Sequence, residues 1–218
     1  MDLSVVIPLY NESESIEELN KSITNTLTSE RISFEIIYID DGSSDGSWDI
    51  IKRLANNSDN IKGISFSKNF GKSQALNAGF IECNGTYVAT LDADLQDSPE
   101  EIPEMINKIK KGNLDLISGW KKKRYDSLVF KKIPSKLFNF VARYTSGIKI
   151  HDFNCGIKVY RSDVIKSIHV YGDMHRFIPI IAMNEGYNKI DEHIVKHQAR
   201  KFGKTKFGNE RFMRGFLD

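Results

Sequence analysis

The sequence predicts an α/β fold: an open, mostly parallel sheet with helices on both faces. Three observations support this prediction. Apolar runs of strand length alternate with amphipathic segments of helix length over the first 120 residues, the connections are short, and polar residues begin where each predicted strand ends. In a parallel sheet those ends lie along one edge, where open α/β sheets bind their ligands.

The predicted elements follow in chain order. The strands cover 4–7, 34–40, 61–66, 86–91 and 115–118, and the helices cover about 15–28, 47–55, 73–81 and 99–111. Apolar strands of this kind are typical of a sheet that is buried on both faces. Later in the chain, a loop enters a strand within 152–160, a short helix begins at Ser162, a helix covers 176–185 and a strand covers 189–195.

Composition is that of an ordinary globular protein. The 218 residues are 40% hydrophobic and 28% charged, and they contain no repeat. No signal peptide is recognisable, and no run of about 18 apolar residues predicts a membrane span. Cys83 and Cys155 have no metal-ligand spacing and fit a reducing cytoplasm. The five histidines show no metal-ligand spacing either, and no nucleic-acid partner is expected.

Charge divides the chain into two halves. Residues 1–120 contain 20 acidic and 10 basic residues, whereas residues 121–218 contain 9 acidic and 21 basic residues. This division predicts that the first half holds a metal and that the second half faces an anionic partner. The alternative for the second half is a basic surface that is simply solvated.

The pair Asp92 and Asp94 is the sharpest candidate site. The two carboxylates follow a predicted buried strand, one residue apart, at the sheet edge that binds ligands. Like charges at such a position need a cation, and Mg²⁺ typically uses one or two carboxylates together with substrate phosphates. The alternative is that both acids cap the next helix.

Three standard motifs are excluded by the sequence. An EF-hand loop that starts at Asp92 would need a glycine where Asp97 stands. A phosphate-binding loop that ends in Gly71-Lys72-Ser73 would need a glycine where Phe66 stands. No G-x-G-x-x-G pattern follows a strand, so there is no dinucleotide-binding fingerprint. A metal and phosphate site of another kind remains.

Two basic segments of the second half have two interpretations each. An apolar stripe flanked by lysines recurs at helical spacing, at Ile133, Leu137, Phe138, Val141 and Tyr144. It predicts a helix that packs on the sheet or lies on an anionic membrane surface. The tail over 197–208 is rich in lysine, arginine and glycine. It is either a loop that closes over a diphosphate or a frayed terminus.

The chain resembles the inverting family-two glycosyltransferases of the GT-A fold. The motifs that carry this resemblance are Val6-Ile7-Pro8-Leu9-Tyr10-Asn11-Glu12, Asp40-Asp41-Gly42-Ser43 and Asp92-Ala93-Asp94-Leu95-Gln96-Asp97. Three further segments are similar to the polyprenyl-phosphate branch, which includes dolichyl-phosphate mannose synthases and undecaprenyl-phosphate glucosyltransferases. They are Lys68-Asn69-Phe70-Gly71-Lys72, Asp152-Phe153-Asn154-Cys155-Gly156 and the tail from Arg200 to Gly208.

The resemblance implies roles for individual residues. The metal, Mg²⁺ or Mn²⁺, would be held on the donor diphosphate by Asp92, Asp94 and Gln96. The rest of the nucleotide-sugar site would comprise Pro8, Tyr10, Glu12, Asp40, Asp41, Lys68, Gly71, Arg200 and Lys206. The reacting centre would involve Asp152 and Asp94. The mannose synthases of this branch tend to carry an arginine after a Gly-Ser pair, whereas this chain has Ser118-Gly119-Trp120-Lys121. The acceptor phosphate would therefore contact Lys121, Lys123 or Arg124.

The implied activity is transfer of a sugar from a UDP- or GDP-sugar to a polyprenyl phosphate. The catalytic domain itself would be soluble and act at the cytoplasmic face of a membrane. Residues 1–120 would bind donor and metal, and residues 121–218 would bind the acceptor and face the membrane, with a further C-terminal segment expected. Transfer to a sugar hydroxyl of a glycan and a non-catalytic nucleotide-binding module remain alternatives. A homo-oligomer is left open.

Overall fold

The computed structural model describes residues 1–122 and 129–202. Its strands are β1 (Leu3–Leu9), β2 (Phe34–Asp40), β3 (Ile61–Ser65), β4 (Tyr87–Thr90), β5 (Leu116–Trp120), β6 (Lys158–Arg161) and β7 (Ile190–Ile194). They form one sheet in the order β3-β2-β1-β4-β6-β5-β7. Every pairing between these strands is parallel except the two that β6 makes, with β4 and β5. The predicted open, mostly parallel sheet is therefore confirmed.

Helices occupy the segments in which they were predicted. They are α1 (Ile16–Ser29), α2 (Ser47–Asn56), α3 (Lys72–Ile81), α4 (Ile102–Gly112), α5 (Val129–Ser146), α6 (Ser162–Ser167) and α7 (Ile178–Asn184). Short 3₁₀ turns at Pro99–Glu101 and Met174–Phe177 precede α4 and α7. The segments expected to be helical at 99–111 and 176–185 are thus each a 3₁₀ turn followed by an α-helix.

The sheet is covered on both faces, as predicted. Side chains alternate along β1, so that Val5 and Ile7 join one core whereas Val6 joins the other. Helices α1, α2 and α4 pack into the first core, and α3, α6 and α7 pack into the second. Every residue of β1 is buried, which explains why the strand, apart from Ser4, is apolar on both faces rather than alternating.

The position of β6 decides which loops meet at the sheet edge. β6 lies between β4 and β5 and pairs its first residue, Lys158, with Thr90 at the end of β4. Because the two strands are antiparallel, the segment that leads into β6 reaches the same edge as Asp92 and Asp94. Hydrophobic periodicity carries no information on strand order, so the sequence did not predict this insertion. It places residues from both sides of residue 120 in one sheet.

Helix α5 contains the stripe for which the sequence left two interpretations. Ala142 is buried and belongs to a small core with Phe153, whereas Phe140, Val141 and Tyr144 are exposed. The described part of α5 therefore packs on the protein with one face and presents apolar side chains to solvent with another. Within the described residues, no helix combines the length and the apolar character needed to cross a bilayer.

Candidate active site

The carboxyl ends of β1, β2 and β4 surround one open cleft. Seven of the residues predicted for the site line it: Pro8, Tyr10, Glu12, Asp41, Asp92, Asp94 and Arg200. Lys72, from the first turn of α3, also lines it. Parallel strands bring their ends to one edge, so residues far apart in the sequence converge here. The cleft combines carboxylates that can bind a cation with two cationic side chains that can bind phosphate.

Asp92 lies at the centre of this cleft. Its carboxylate forms an ion pair with Lys72 and packs against Gly156, where a Cβ would overlap the carboxylate. Burial alone would raise the pKa of Asp92, but the charges of Lys72 and Lys121 outweigh burial and lower that pKa to about 2. Asp92 is therefore ionised at neutral pH, which is the form that binds a metal.

Asp94 is shared between the backbone and Arg200. Its Oδ1 accepts a hydrogen bond from the Gln96 N–H at 3.1 Å, and its Oδ2 lies 2.7 Å from Nη2 of Arg200. The other guanidinium nitrogen, Nη1, lies 3.1 Å from Oε1 of Glu12. Burial and the charge of Asp92 raise the pKa of Asp94 to about 6, although Arg200 opposes that rise. Two neighbouring carboxylates of this kind are stabilised in their charged forms by a cation.

The loop that carries Asp92 and Asp94 is held in place on its C-terminal side, at Asp97. Asp97 forms a buried ion pair with Lys121, with 2.7 Å between Oδ1 and Nζ, and also pairs through its backbone with His197. The Gln198 N–H donates to the Gln96 carbonyl at 2.9 Å. The chain after β7 is thus attached along the loop that contains Asp94, and this attachment brings Arg200 into the cleft.

Asp40 and Asp41 fix the loops on the opposite side of the cleft. Asp40 accepts a hydrogen bond from the Ser43 N–H at 3.0 Å, which closes the turn after β2. Asp41 accepts hydrogen bonds from the N–H groups of Phe70 and Gly71, at 2.6 and 2.9 Å, and so holds the start of α3 in place. Asp41 lines the cleft, whereas Asp40 does not.

Asp152 belongs to the loop that enters β6. It is buried, and its Oδ1 accepts a hydrogen bond from the Asn154 N–H at 3.0 Å. Its backbone carbonyl accepts one from the Ser118 hydroxyl at 3.1 Å. These bonds fix the loop that presents Gly156 to Asp92. Asp152 is not among the residues that line the cleft.

A small inner cavity separates this loop from α3. It is lined by Asp92, Asn154, Lys158 and His175, among others. The ammonium of Lys158 is buried and donates to the Cys155 carbonyl, and burial lowers the pKa of Lys158. Burial, followed by the charge of Lys72, lowers the pKa of His175 well below its ordinary value, so its imidazole is neutral at pH 7.

The remaining predicted residues lie at or beyond the rim of the cleft. Lys68 is exposed, with its ammonium 5.1 Å from the centre of the Phe70 ring. Gly71 precedes α3 with a φ of +99°, a conformation that favours glycine. The side-chain amide of Gln96 lies 3.4 Å from the Gln198 carbonyl. The residues predicted at Lys123, Arg124 and Lys206 lie outside the described residues.

The sequence did not predict where three buried or half-buried lysines lie. Lys72 was quoted within a family motif and within the excluded phosphate-binding loop, and these were the signals that could have found it. Lys158 carried no signal, because a lysine in a predicted strand is ordinarily taken to point to solvent. Lys121 was expected at the acceptor phosphate, and the structure pairs it with Asp97.

A second group of potential metal ligands lies elsewhere, between α4 and β7. It consists of Glu101, Glu104 and His193, whose ligand atoms all lie within 4.8 Å of one another. His193 Nε2 is 3.3 Å from Glu101 Oε2, and Glu104 is largely exposed. A hydrogen bond between His193 and Glu101, with Glu104 3.9 Å from the same nitrogen, accounts for this arrangement. None of the three lines the cleft described above.

Three comparisons relate this chain to known proteins, and the first is with curated sequences. The chain is 36% identical over 220 residues to a dodecaprenyl-phosphate galacturonate synthase of Rhizobium johnstonii, which covers 100% of this chain and 65% of that protein. It is 34% identical over 217 residues to an undecaprenyl-phosphate 4-deoxy-4-formamido-L-arabinose transferase of Pseudomonas syringae, covering 99% and 64%. The chain therefore spans just under two thirds of the length of these relatives.

Solved structures confirm the fold. Glucosyl-3-phosphoglycerate synthase of Mycobacterium tuberculosis superposes with a TM-score of 0.72 at 18% identity, over 97% of this chain and 75% of that one. The same enzyme crystallised with Mn²⁺, uridine diphosphate and phosphoglyceric acid gives a TM-score of 0.69 at 19% identity, over 92% and 72%. At these identities the likeness shows a shared fold, the GT-A fold expected from the sequence.

The family is established by a third comparison, with models of protein families. The model of glycosyl transferase family 2 matches residues 4–168, a range that begins within β1, extends past β6 and contains both cleft carboxylates, Asp92 and Asp94. This range covers most of the chain and agrees with the curated relatives. The chain belongs to glycosyl transferase family 2.

Proposed function

We propose that this protein transfers a sugar from a nucleoside diphosphate sugar to a polyprenyl phosphate, with Mg²⁺ or Mn²⁺ at Asp92 and Asp94. The single observation that carries the proposal is the cleft at the ends of β1, β2 and β4, where these two carboxylates lie between Lys72 and Arg200. Relatives that match nearly the whole chain are named for transfer to dodecaprenyl or undecaprenyl phosphate.

The residues of the cleft suit a cation bound to a diphosphate. Asp92 and Asp94 offer hard oxygen ligands, which Mg²⁺ and Mn²⁺ prefer. The side chain of Gln96, the third predicted ligand, lies at the Gln198 carbonyl. A metal bound here would act as a Lewis acid on the leaving nucleoside diphosphate. Lys72 and Arg200 line the same cleft and would neutralise further phosphate charge.

A phosphate acceptor simplifies the chemistry required of the protein. The second pKa of a phosphate monoester is about 6, so most of the acceptor is already dianionic at neutral pH. In-line attack by this oxygen on the anomeric carbon, with inversion, needs little help from a general base. Positioning of the two substrates becomes the main task. The buried, hydrogen-bonded Asp152 suits that task, because it fixes the loop beside Asp92.

The second half of the chain would meet the lipid acceptor at the membrane. Phe140, Val141 and Tyr144 form an exposed apolar face on α5, and Arg143 lies next to them. Aromatic and basic side chains on one helix favour an anionic lipid surface. We assign this face to the cytoplasmic leaflet, since Cys83 and Cys155 are free thiols.

The direct test is incorporation of label into lipid. The chain is incubated with Mn²⁺, polyprenyl phosphate and a panel of UDP- and GDP-sugars that carry a radioactive label, and the organic phase is counted. Label in that phase with at least one donor, and its loss in Asp92→Ala, is the expected result. Nucleotide binding without label in the organic phase, for every donor, would contradict the proposal and favour a nucleotide-binding module.

Asp152→Asn separates the two candidate acceptors. A sugar hydroxyl must lose a proton to a general base as it attacks, and losing such a base costs about a hundredfold or more in rate. A phosphate acceptor has no such requirement. We expect Asp152→Asn to retain transfer to polyprenyl phosphate within about tenfold of the native rate. A loss beyond a hundredfold in a folded variant would favour the glycan acceptor.

A further inference from the structure

Both oxygens of the Asp94 carboxylate already have a hydrogen-bond partner. Oδ1 accepts the Gln96 N–H at 3.1 Å, and Oδ2 lies 2.7 Å from Nη2 of Arg200. An oxygen that accepts one hydrogen bond can still bind a cation, but a cation at Asp94 would meet the positive charge of the guanidinium. The Gln96 bond belongs to the backbone of the loop itself, so Arg200 is the partner that can leave.

Arg200 spans the cleft rather than lying along its edge. While Nη2 contacts Asp94, Nη1 lies 3.1 Å from Oε1 of Glu12, in the loop after β1. The side chains of Arg200, Glu12 and Asp94 are only 19%, 11% and 13% exposed. Charges this well shielded from water interact more strongly than surface pairs do. The guanidinium thus neutralises the same carboxylate that the proposed metal would neutralise.

The backbone couples Arg200 to the loop that would hold the metal. His197 pairs with Asp97, and the Gln198 N–H donates to the Gln96 carbonyl at 2.9 Å. These contacts fix the chain two residues before Arg200 directly on the loop of Asp94. The side chain therefore starts from a defined position, and its release needs no movement of the sheet.

We infer that Arg200 is an exchangeable counter-ion of the metal site: a divalent cation and the Arg200 guanidinium compete for Asp94, and cation binding frees the guanidinium for the diphosphate of the donor. This inference rests on the proposed metal site. It assigns Arg200 opposite effects at two stages. Before the donor binds, Arg200 weakens cation binding, and afterwards it supports the donor. A residue that only contacts phosphate would have no effect at the first stage.

The test is the affinity for Mn²⁺ in the absence of any nucleotide, measured from the electron paramagnetic resonance signal of free Mn²⁺. In Arg200→Gln the competing charge is gone, and we expect Mn²⁺ to bind about threefold to tenfold more tightly than to the native chain. Lys201→Gln is the matched control. It removes the same charge one residue later, from a side chain that pairs with Glu18 on α1 at 2.7 Å. Its Mn²⁺ affinity should stay within about twofold.

Competition is reciprocal, so Mn²⁺ must also loosen Arg200. Trypsin cleavage of the native chain after Arg200, followed by mass spectrometry of the released peptide, should be at least about threefold faster with Mn²⁺ present. Unchanged or weaker Mn²⁺ binding by Arg200→Gln would overturn the inference, and so would an equal gain in Lys201→Gln. Failure of the native chain to bind Mn²⁺ even with nucleotide would instead refute the proposed metal site itself.

Discussion

The Lys121 ammonium and the Asp97 carboxylate form a buried ion pair, with 2.7 Å between Nζ and Oδ1 and side chains that are 11% and 0% exposed. The pair joins the end of β5 to the loop that contains Asp92 and Asp94. Because Asp97 holds it there, Lys121 supports the cleft from behind. Burial opposes the charged form of Lys121, but the charges of Asp97 and Asp92 and the hydrogen bond to Asp97 together raise the pKa of Lys121, so the ammonium stays charged at any physiological pH.

Removing Lys121 should destabilise the protein markedly. Lys121→Met leaves the Asp97 carboxylate buried without its partner, and such changes cost about 3–5 kcal/mol. Urea unfolding measures this loss. Lys122→Met is the matched control, since Lys122 is exposed and its ammonium lies 5.7 Å from the Trp120 ring. The control should change the free energy of unfolding by about 0.5 kcal/mol or less. Equal losses in both variants would show that the pair has no special role.

Gly156→Ala should weaken metal-dependent nucleotide binding. A Cβ at this position would overlap the Asp92 carboxylate and approach that of Asp97 to 3.0 Å. Asp92 must then move, and we expect at least a tenfold loss of UDP or GDP affinity in the presence of Mn²⁺, measured by calorimetry. The melting temperature is recorded alongside, because partial unfolding would lower affinity for a different reason. Native affinity in the variant would mean that the position of Asp92 is not set by Gly156.

The contacts of Glu35 predict that the stability of the protein depends on pH, independently of the cleft. Its buried carboxylate accepts hydrogen bonds from Ser4 and Asn84 and pairs with Lys62 at 2.8 Å. Burial opposes ionisation, but these partners together lower the pKa of Glu35 below 4.5. A lowered pKa means that the stabilisation is present above the unfolded-state pKa and is lost as the pH falls through the folded-state pKa.

The corresponding variant is Glu35→Gln. We expect it to be about 2 kcal/mol less stable than the native protein at pH 7, and the difference to shrink as the pH is lowered below about 4. Chemical unfolding across this pH range measures both effects. Glu17→Gln serves as the control, because Glu17 pairs with Arg53 on the surface. A stability difference that does not vary with pH would contradict the assignment.

The sequence predicted the cleft better than it predicted the supports of the cleft. Apolar runs that end in polar residues place Asp41, Asp92 and Asp94 at one sheet edge without knowledge of strand order, since all parallel strands end there. The partners of these residues depend on strand order. The insertion of β6 between β4 and β5 brings Gly156 against Asp92, and no periodicity in the sequence encodes that pairing.

Ion pairs escaped prediction for a related reason. Lys121 lies 24 positions after Asp97, and a basic run such as 121–124 is ordinarily solvated. Lys121 is buried because it directly follows β5, and the position of β5 in the sheet is defined by the fold alone. Arg200 could be named from a resemblance, but its contacts with Asp94 and Glu12 depend on the backbone pairing of residues 197 and 198.

The central claim is that Asp92 and Asp94 hold a cation that binds the donor diphosphate. Calorimetric titration with UDP and with GDP, in the presence and absence of Mn²⁺, tests this claim most directly. The proteins compared are the native chain, Asp92→Asn, Asp94→Asn and Asp49→Asn. The last is a surface control, because the Asp49 carboxylate pairs with Lys52 on α2. We predict that Mn²⁺ strengthens binding of at least one nucleotide at least tenfold in the native chain and in Asp49→Asn, and that this gain disappears in the two cleft variants. Equal Mn²⁺-dependent binding in all four proteins would contradict the claim.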